Sequence, residues 1–153
     1  MSPAMPTTFA EKDLNYYLRM IRGDFAELEE EQVLKKAGGP SPKNIVILIG
    51  SKTLGSGDEK VGARLLRHFL QALVHNRVKP RSLILLNEAV MLATAESGVL
   101  NDLTILEEQG IRILICVVSA DEYGIEDEIK VGSIADMDAI CDHLLNAWKV
   151  IRL

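Results

Sequence analysis

The sequence predicts an α/β domain of three layers (α/β/α), in which helices cover a mostly parallel sheet of about five strands. Short apolar runs of strand length alternate with amphipathic segments of helix length. The first of these runs is β-branched and continuously apolar, as expected for a strand that is buried on both faces. Long crossovers separate the runs, which favours parallel pairing. In such sheets, ligands and reactive groups gather at the carboxyl ends of the strands.

Size and composition are those of a single globular domain. The chain has 153 residues, of which 48% are hydrophobic and 25% charged, so it can bury a core without disulfides or metals. The net charge of −5 indicates no nucleic-acid partner, because phosphate backbones are bound by clustered basic residues. One basic stretch, spanning residues 64–81, is interpreted as a solvated helix end and loop.

The sequence also predicts the compartment and excludes several kinds of site. The apolar runs are shorter than the roughly 20 residues that a membrane span needs, and the N-terminus does not resemble a secretory signal. We therefore expect a cytoplasmic protein without a membrane partner, in which Cys116 and Cys141 are thiols. There is no CxxC motif, and the three histidines lack a ligand-like spacing, so neither a metal nor another cofactor is expected.

The chain divides into two parts. Residues 9–36 have helical periodicity with an acidic outer face, and "AGGPSPKN" at 37–44 has the composition of a linker. We expect an N-terminal helical arm with its Gly/Pro linker over residues 1–43 and the α/β domain over residues 44–153.

Within that domain the elements follow in a regular order. Strands are predicted at residues 44–50, 81–87, 111–118 and 149–153, and "EIKVGS" at 128–133 is either a short strand or a loop. Helices are predicted at 58–76, 97–109 and 136–147, with a short helix after the third strand. Asp58 is the predicted N-cap of the first of these. The carboxyl ends of the strands select residues 50–58, 87–94 and 116–122 as places for chemistry.

The sequence allows two interpretations of Cys116, a reactive thiol or a buried core residue. It lies near the end of the third strand, and Ser119 with Glu122 has the form of a capping box, so a helix starting there would favour the thiolate. Free cysteine is also among the most buried residue types, so composition and spacing alone favour a small core hydrophobe at Cys116. Cys141 lies on the apolar stripe of the last helix with Met137 and Ile140, and is predicted to be a packed core thiol.

Two further segments carry weaker signals. The Gly-rich stretch "GSKTLGSGDEKVG" at 50–62 could hold an anion on exposed backbone N–H groups, but it matches neither GxxxxGK[ST] nor GxGxxG. Glu88 could act as a general base, although a lone carboxylate in a loop is usually only solvated.

Several motifs in consistent order resemble one family. "SKTLGSGDEKVG", "NEAVMLATAESGVLNDLTILEEQG", "ILICVVSADEYGI" and "VGSIADMDAI" together resemble the DsrE-like family, most closely the C-terminal domain of YedF-type proteins. These are described as sulfurtransferase-like proteins associated with selenium metabolism. The family's Cys-Gly-x-Cys stretch reads Cys116-Val117-Val118-Ser119 here, so the first cysteine is kept and the second is serine. The TusA-like domain that usually precedes this domain is not found in residues 1–43, which contain no cysteine.

The resemblance implies a function and a site. Cys116 would accept sulfane sulfur as a persulfide and pass it to a partner, which could be a TusA-like carrier, and the protein would be a homo-oligomer. The pocket around the sulfur would be formed by Ser51, Thr53, Gly55, Gly57, Asn87, Ser119 and Tyr123. The alternative is a binding or assembly module that keeps the fold and has lost the cysteine chemistry. The first hypothesis expects a reachable thiol at Cys116, and the alternative expects a buried, inert one.

Overall fold

A computed structural model describes residues 44–153, and the arm predicted for residues 1–43 lies outside them. Five strands form one sheet in the order β4-β3-β2-β1-β5, and every pair is parallel. This confirms the predicted α/β class with a parallel sheet of five strands. None of the helices in this range is long and apolar enough to cross a membrane.

The three central strands are the apolar runs of the sequence. They are β1 (Ile45–Ile49), β2 (Ser82–Leu85) and β3 (Arg112–Cys116). All four residues of β2 are buried, because β2 is the middle strand and elements cover both of its faces. The edge strands are β4 (Ser133–Ala135) and β5 (Lys149–Arg152), and all four residues of β5 are exposed. The sequence left the segment 128–133 open as strand or loop. It begins at the end of a 3₁₀ helix, Ile129 forms an isolated bridge with Thr94, and β4 starts only at Ser133.

Four α-helices and two 3₁₀ helices connect the strands. The α-helices are α1 (Glu59–His75), α2 (Leu100–Glu108), α3 (Val117–Glu122) and α4 (Met137–Leu145). The predicted cap at Asp58 is present, because its carboxylate accepts hydrogen bonds from the N–H groups of Lys60 and Val61 at 2.8 and 3.1 Å. The 3₁₀ helices are Asn87–Ala93 and Glu126–Glu128. The first of them directly follows β2 and was not predicted.

The third strand ends earlier than its apolar pattern predicted. The run continues to Val118, but β3 ends at Cys116 and α3 begins at Val117. Cys116 is therefore the N-cap residue, and Ser119 lies inside the helix. The predicted capping box at Ser119 and Glu122 is wrong, because an apolar run does not distinguish the last strand residues from the first buried turn of a helix.

Cys141 also lies in a different environment from the predicted one. It is exposed, and Met137, one turn earlier on α4, is 52% exposed. The buried face of α4 is centred on Ile140, which is 1% exposed. The prediction of a core thiol is wrong because α4 covers the sheet with a narrower face than its apolar content suggests.

Candidate functional site

The carboxyl ends of the three central strands meet at one edge of the sheet. Ser51 follows β1, Asn87 follows β2, and Cys116 is the last residue of β3. The backbone continues the pairing past β1 and β2, since the Leu86 N–H donates to the Ile49 carbonyl at 2.9 Å. The three segments selected from the sequence therefore come together at this edge.

Cys116 is enclosed at this edge. It pairs in register with Ala135 of β4, its side chain is 2% exposed, and it belongs to the main hydrophobic core. The next two residues, Val117 and Val118, are the first turn of α3, and Val118 is 58% exposed. In this conformation the Cys116 side chain is buried in the core, and the short helix that follows it has an exposed residue in its first turn.

A hydrogen bond between Asn87 and Ser119 connects the 3₁₀ helix after β2 to α3. The backbone N–H of Asn87 donates to Ser119 Oγ at 2.8 Å, and Ser119 is 9% exposed. Asn87 has φ +52°, in the left-handed region that asparagine tolerates better than most residues. The serine at the second family cysteine position thus ties α3 to the 3₁₀ helix after β2, because a hydroxyl is a stronger acceptor than a thiol.

Glu88 connects the loop after β1 to the 3₁₀ helix. Its Oε1 accepts a hydrogen bond from Ser51 Oγ at 2.8 Å and from the Lys52 N–H at 3.3 Å. These bonds, with a smaller effect from the Lys52 charge, lower the pKa of Glu88 against the opposing effect of partial burial. A carboxylate with a lowered pKa is a weak base, so Glu88 is better suited to hold the loop than to remove protons.

The loop 51–57 is also fixed by close contact with α1. Ser51 Oγ and Thr53 Oγ1 lie 3.1 Å apart, and the Leu54 N–H donates to the Gly62 carbonyl at 3.0 Å. A Cβ added to Gly62 would lie 2.8 Å from Thr53 Cβ, so only glycine allows this approach. At the far end of the loop Gly55 and Gly57 are exposed, with φ +77° and +136°.

The structure thus brings some predicted pocket residues together. Ser51 and Thr53 contact each other, and Asn87 contacts Ser119. Gly55 and Gly57 form the exposed turn of their loop, and Tyr123, 44% exposed, ends α3. Sequence reasoning noted Glu88 but missed its role as the shared acceptor, because its two donors are more than thirty residues away in the chain.

A separate cavity of about 820 Å³ was not predicted. It is bounded by α1, by residues 91–99 and by residues 125–130, and Cys116 does not line it. Two of the arginines assigned to the solvated basic stretch, Arg64 and Arg67, belong to its lining.

Within residues 44–153 no group of three or more metal-ligating side chains is present. His143 forms a hydrogen bond with Ser82, whose Oγ lies 3.2 Å from its Nδ1. Burial, followed by the charges of Arg112 and Arg81, lowers the pKa of His143. The histidine thus satisfies the buried hydroxyl of Ser82 beneath α4.

Comparison with known proteins identifies the family. The sequence profile of the DsrE/DsrF-like family matches residues 53–153, about two thirds of the chain. The chain therefore belongs to the DsrE/DsrF-like family. No curated protein matches the chain significantly.

Solved structures share the fold. The YchN protein from E. coli is 21% identical, with a TM-score of 0.53 over 72% of this chain and 98% of its own. Protein MTH1491 from Methanobacterium thermoautotrophicum is 19% identical, with a TM-score of 0.54 over 71% and 97%. Protein BT1422 from Bacteroides thetaiotaomicron is 14% identical, with a TM-score of 0.52 over 72% and 95%. At these identities the likeness concerns the fold alone.

Proposed function

We propose that this protein is a sulfur carrier that holds sulfane sulfur as a persulfide on Cys116 and passes it to a partner protein. The observation that carries the proposal is the position of Cys116 at the carboxyl end of β3. Its neighbours in the sheet, β2 and β4, are parallel to β3, so their carboxyl ends lie on the same side. Membership of the DsrE/DsrF-like family supports it. The series of motifs between residues 51 and 140 supports the finer proposal that the chain is of the YedF type.

The proposed reaction is two thiol exchanges. The Cys116 thiolate attacks the outer sulfur of a donor persulfide, the donor S–S bond breaks, and the donor leaves as a thiolate. An acceptor thiolate then attacks the outer sulfur on Cys116 and releases the Cys116 thiolate. Ser119 occupies the second family cysteine position, so no internal disulfide competes with this transfer. A TusA-like protein is a suitable donor or acceptor, and the working form is proposed to be a homo-oligomer in the cytoplasm.

Burial of Cys116 favours a second candidate, a binding or assembly module without cysteine chemistry. A thiol that is 2% exposed reacts only when the structure around it opens locally. For the carrier, this opening must occur in the folded protein, and the enclosed site then protects the persulfide between transfers. For the second candidate, Cys116 is only a core side chain.

The two cysteines provide a matched pair of variants. Cys141→Ser leaves Cys116 as the sole cysteine, and Cys116→Ser leaves the exposed Cys141. Each variant is treated with polysulfide, freed of excess reagent and analysed by intact-protein mass spectrometry before and after addition of a small thiol. The carrier predicts that Cys141→Ser gains one sulfur atom, retains it and loses it to the added thiol.

The exposed Cys141 in the other variant measures non-specific sulfuration. Sulfur that Cys116→Ser gains should be lost rapidly, because Cys141 is exposed in the part of the chain that the structure describes. If Cys116 stays unmodified until urea unfolds the protein, the carrier proposal fails and the second candidate stands.

A further inference from the structure

The cavity of about 820 Å³ has the size of a small-molecule site. Four of its lining residues, Leu66, Leu92, Val99 and Ile125, are buried apolar side chains, so part of its inner surface is apolar. Thr94 and Ser97 add hydroxyl groups. A ligand with an apolar body and few polar groups fits such a lining, as in most pockets of this size.

Three of the four basic side chains of the lining come from different segments of the chain than the acidic side chains. Lys52, Arg64 and Arg67 come from the loop after β1 and from α1, and no acidic residue of these two segments lines the cavity. The acidic lining residues are Glu96, Asp127 and Glu128, which come with Lys130 from the other segments. Among residues 44–153, four basic and three acidic side chains line the cavity, and their formal charges sum to one positive.

Arg64 and Arg67 lie three residues apart on α1, so they are neighbours on one face of the helix. Two like charges at this spacing repel each other, and an anion between them relieves the repulsion. Guanidinium groups also bind carboxylate, sulfonate and phosphate oxygens in a bidentate manner. The acidic residues elsewhere in the lining disfavour ligands with several negative charges.

We propose that this cavity binds a small organic monoanion with an apolar body, and that Arg64 and Arg67 hold its anionic group. The apolar body lies against the inner surface, where Met91 and Ile125 contribute. The site is independent of the sulfur chemistry proposed for Cys116, which lies outside the lining. It also gives Arg64 and Arg67, the two arginines of the basic stretch on α1, a function beyond solubility.

The probe for the test is 8-anilinonaphthalene-1-sulfonate, an organic monoanion whose fluorescence rises in apolar surroundings. The full chain is titrated with it at low and high ionic strength. We expect saturable binding to one site that weakens as salt is added, because the arginines are exposed. The neutral analogue N-phenyl-1-naphthylamine has the same apolar body without the sulfonate and should bind more weakly.

The decisive variant is Arg64→Gln/Arg67→Gln, which removes the charges and keeps residues that favour helix. Its dissociation constant for the sulfonate should rise by about fivefold to thirtyfold, and that for the neutral probe should not change. The matched control is Arg77→Gln/Arg152→Gln, which makes the same change in net charge at exposed residues outside the lining. Its affinity for the sulfonate should stay within about twofold of the wild type.

A third variant tests the location of the apolar body. Ala95 is an exposed loop residue that lines the cavity, and Ala95→Trp should block binding of both probes without altering thermal unfolding. Equal affinity of the wild type and the Arg64/Arg67 variant would overturn the proposal. So would unchanged binding in Ala95→Trp, or equal losses in the Arg77/Arg152 control.

Discussion

At the scale of single residues, the site depends on close contacts that adding or removing one side-chain atom would disrupt. Gly62 lets α1 approach the loop 51–57, and Asn87 takes a left-handed conformation to reach Ser119. The burial of each cysteine differs from what its neighbours in the sequence suggest. Cys116 stands where a parallel sheet exposes its ligands but is buried, whereas Cys141 belongs to an apolar pattern but is exposed.

Gly62→Ala should loosen the loop 51–57. Alanine is favoured over glycine in a helix, but its Cβ would lie 2.8 Å from Thr53 Cβ and 3.3 Å from the Leu54 carbonyl oxygen. We expect the free energy of unfolding, measured by urea titration, to fall by about 1–3 kcal/mol. Hydrogen exchange at the Leu54 amide, which donates to the Gly62 carbonyl, should become faster.

Gly50→Ala is the control for this prediction. Gly50 precedes the same loop, its φ is not positive, and an added Cβ would meet no atom within 4 Å. Its unfolding free energy should therefore stay within about 0.5 kcal/mol of the wild type. Equal effects of the two substitutions would show that glycine flexibility, and not the contact with Thr53, determines the loop.

At the scale of elements, the site is assembled from the segments that follow three neighbouring strands. Glu88 joins the segment after β1 to the 3₁₀ helix after β2, and Ser119 joins that 3₁₀ helix to α3. These two hydrogen bonds cross between segments that the strands alone would leave independent. The edge therefore acts as one connected layer above the carboxyl ends of β1, β2 and β3.

The Glu88 contact predicts a dependence of stability on pH. The pKa of Glu88 is lowered in the folded protein, chiefly by the Ser51 hydroxyl and the Lys52 N–H. The contact therefore stabilises the fold above the unfolded pKa, about 4.3, and this contribution is lost as pH falls through the lower folded pKa. Glu88→Gln should lower stability at pH 7 by about 1 kcal/mol and reduce the slope of stability against pH below pH 4.3.

Ser51→Ala removes the main donor and provides an independent test. It should raise the pKa of Glu88 toward its ordinary value and remove part of the same slope, and it should add little to Glu88→Gln in the double variant. The measurement is urea unfolding of all four proteins from pH 3 to pH 7. Additive losses in the double variant would mean that the two side chains act separately.

The elements were largely predictable because their signals are local. The buried runs of β1 and β2, the cap at Asp58 and the amphipathic pattern of α1 each lie within about twenty residues of sequence. The contacts of the site were not, because Ser51 and Glu88 are 37 residues apart and Asn87 and Ser119 are 32 apart. The position of Cys116 directly before α3 was not predicted either, because α3 starts at Val117, inside the apolar run.

At the scale of the whole molecule, the fold of residues 44–153 combines a buried core with two edge strands, β4 and β5, of different length. One cluster of buried side chains extends from β1 to α4, and it contains residues from both faces of the central strands. β4 limits one edge with only three residues. β5 forms the other edge, and its four residues are exposed. Both proposed sites share residues with this core, since Cys116 belongs to the buried cluster and Leu66, Leu92, Val99 and Ile125 both belong to it and line the cavity.

Residues 44–153 should therefore fold without the arm. A chain that starts at Lys43 should unfold cooperatively, with a melting temperature within about 5 °C of the full chain, because residues 46–140 contribute one continuous buried cluster. A chain that starts at Ile49 should not fold, since it lacks most of β1, which pairs with both β2 and β5. Circular dichroism during heating measures both chains. Loss of cooperative unfolding in the longer chain would show that residues 1–42 are part of the folding unit, and that the boundary predicted near residue 43 is wrong.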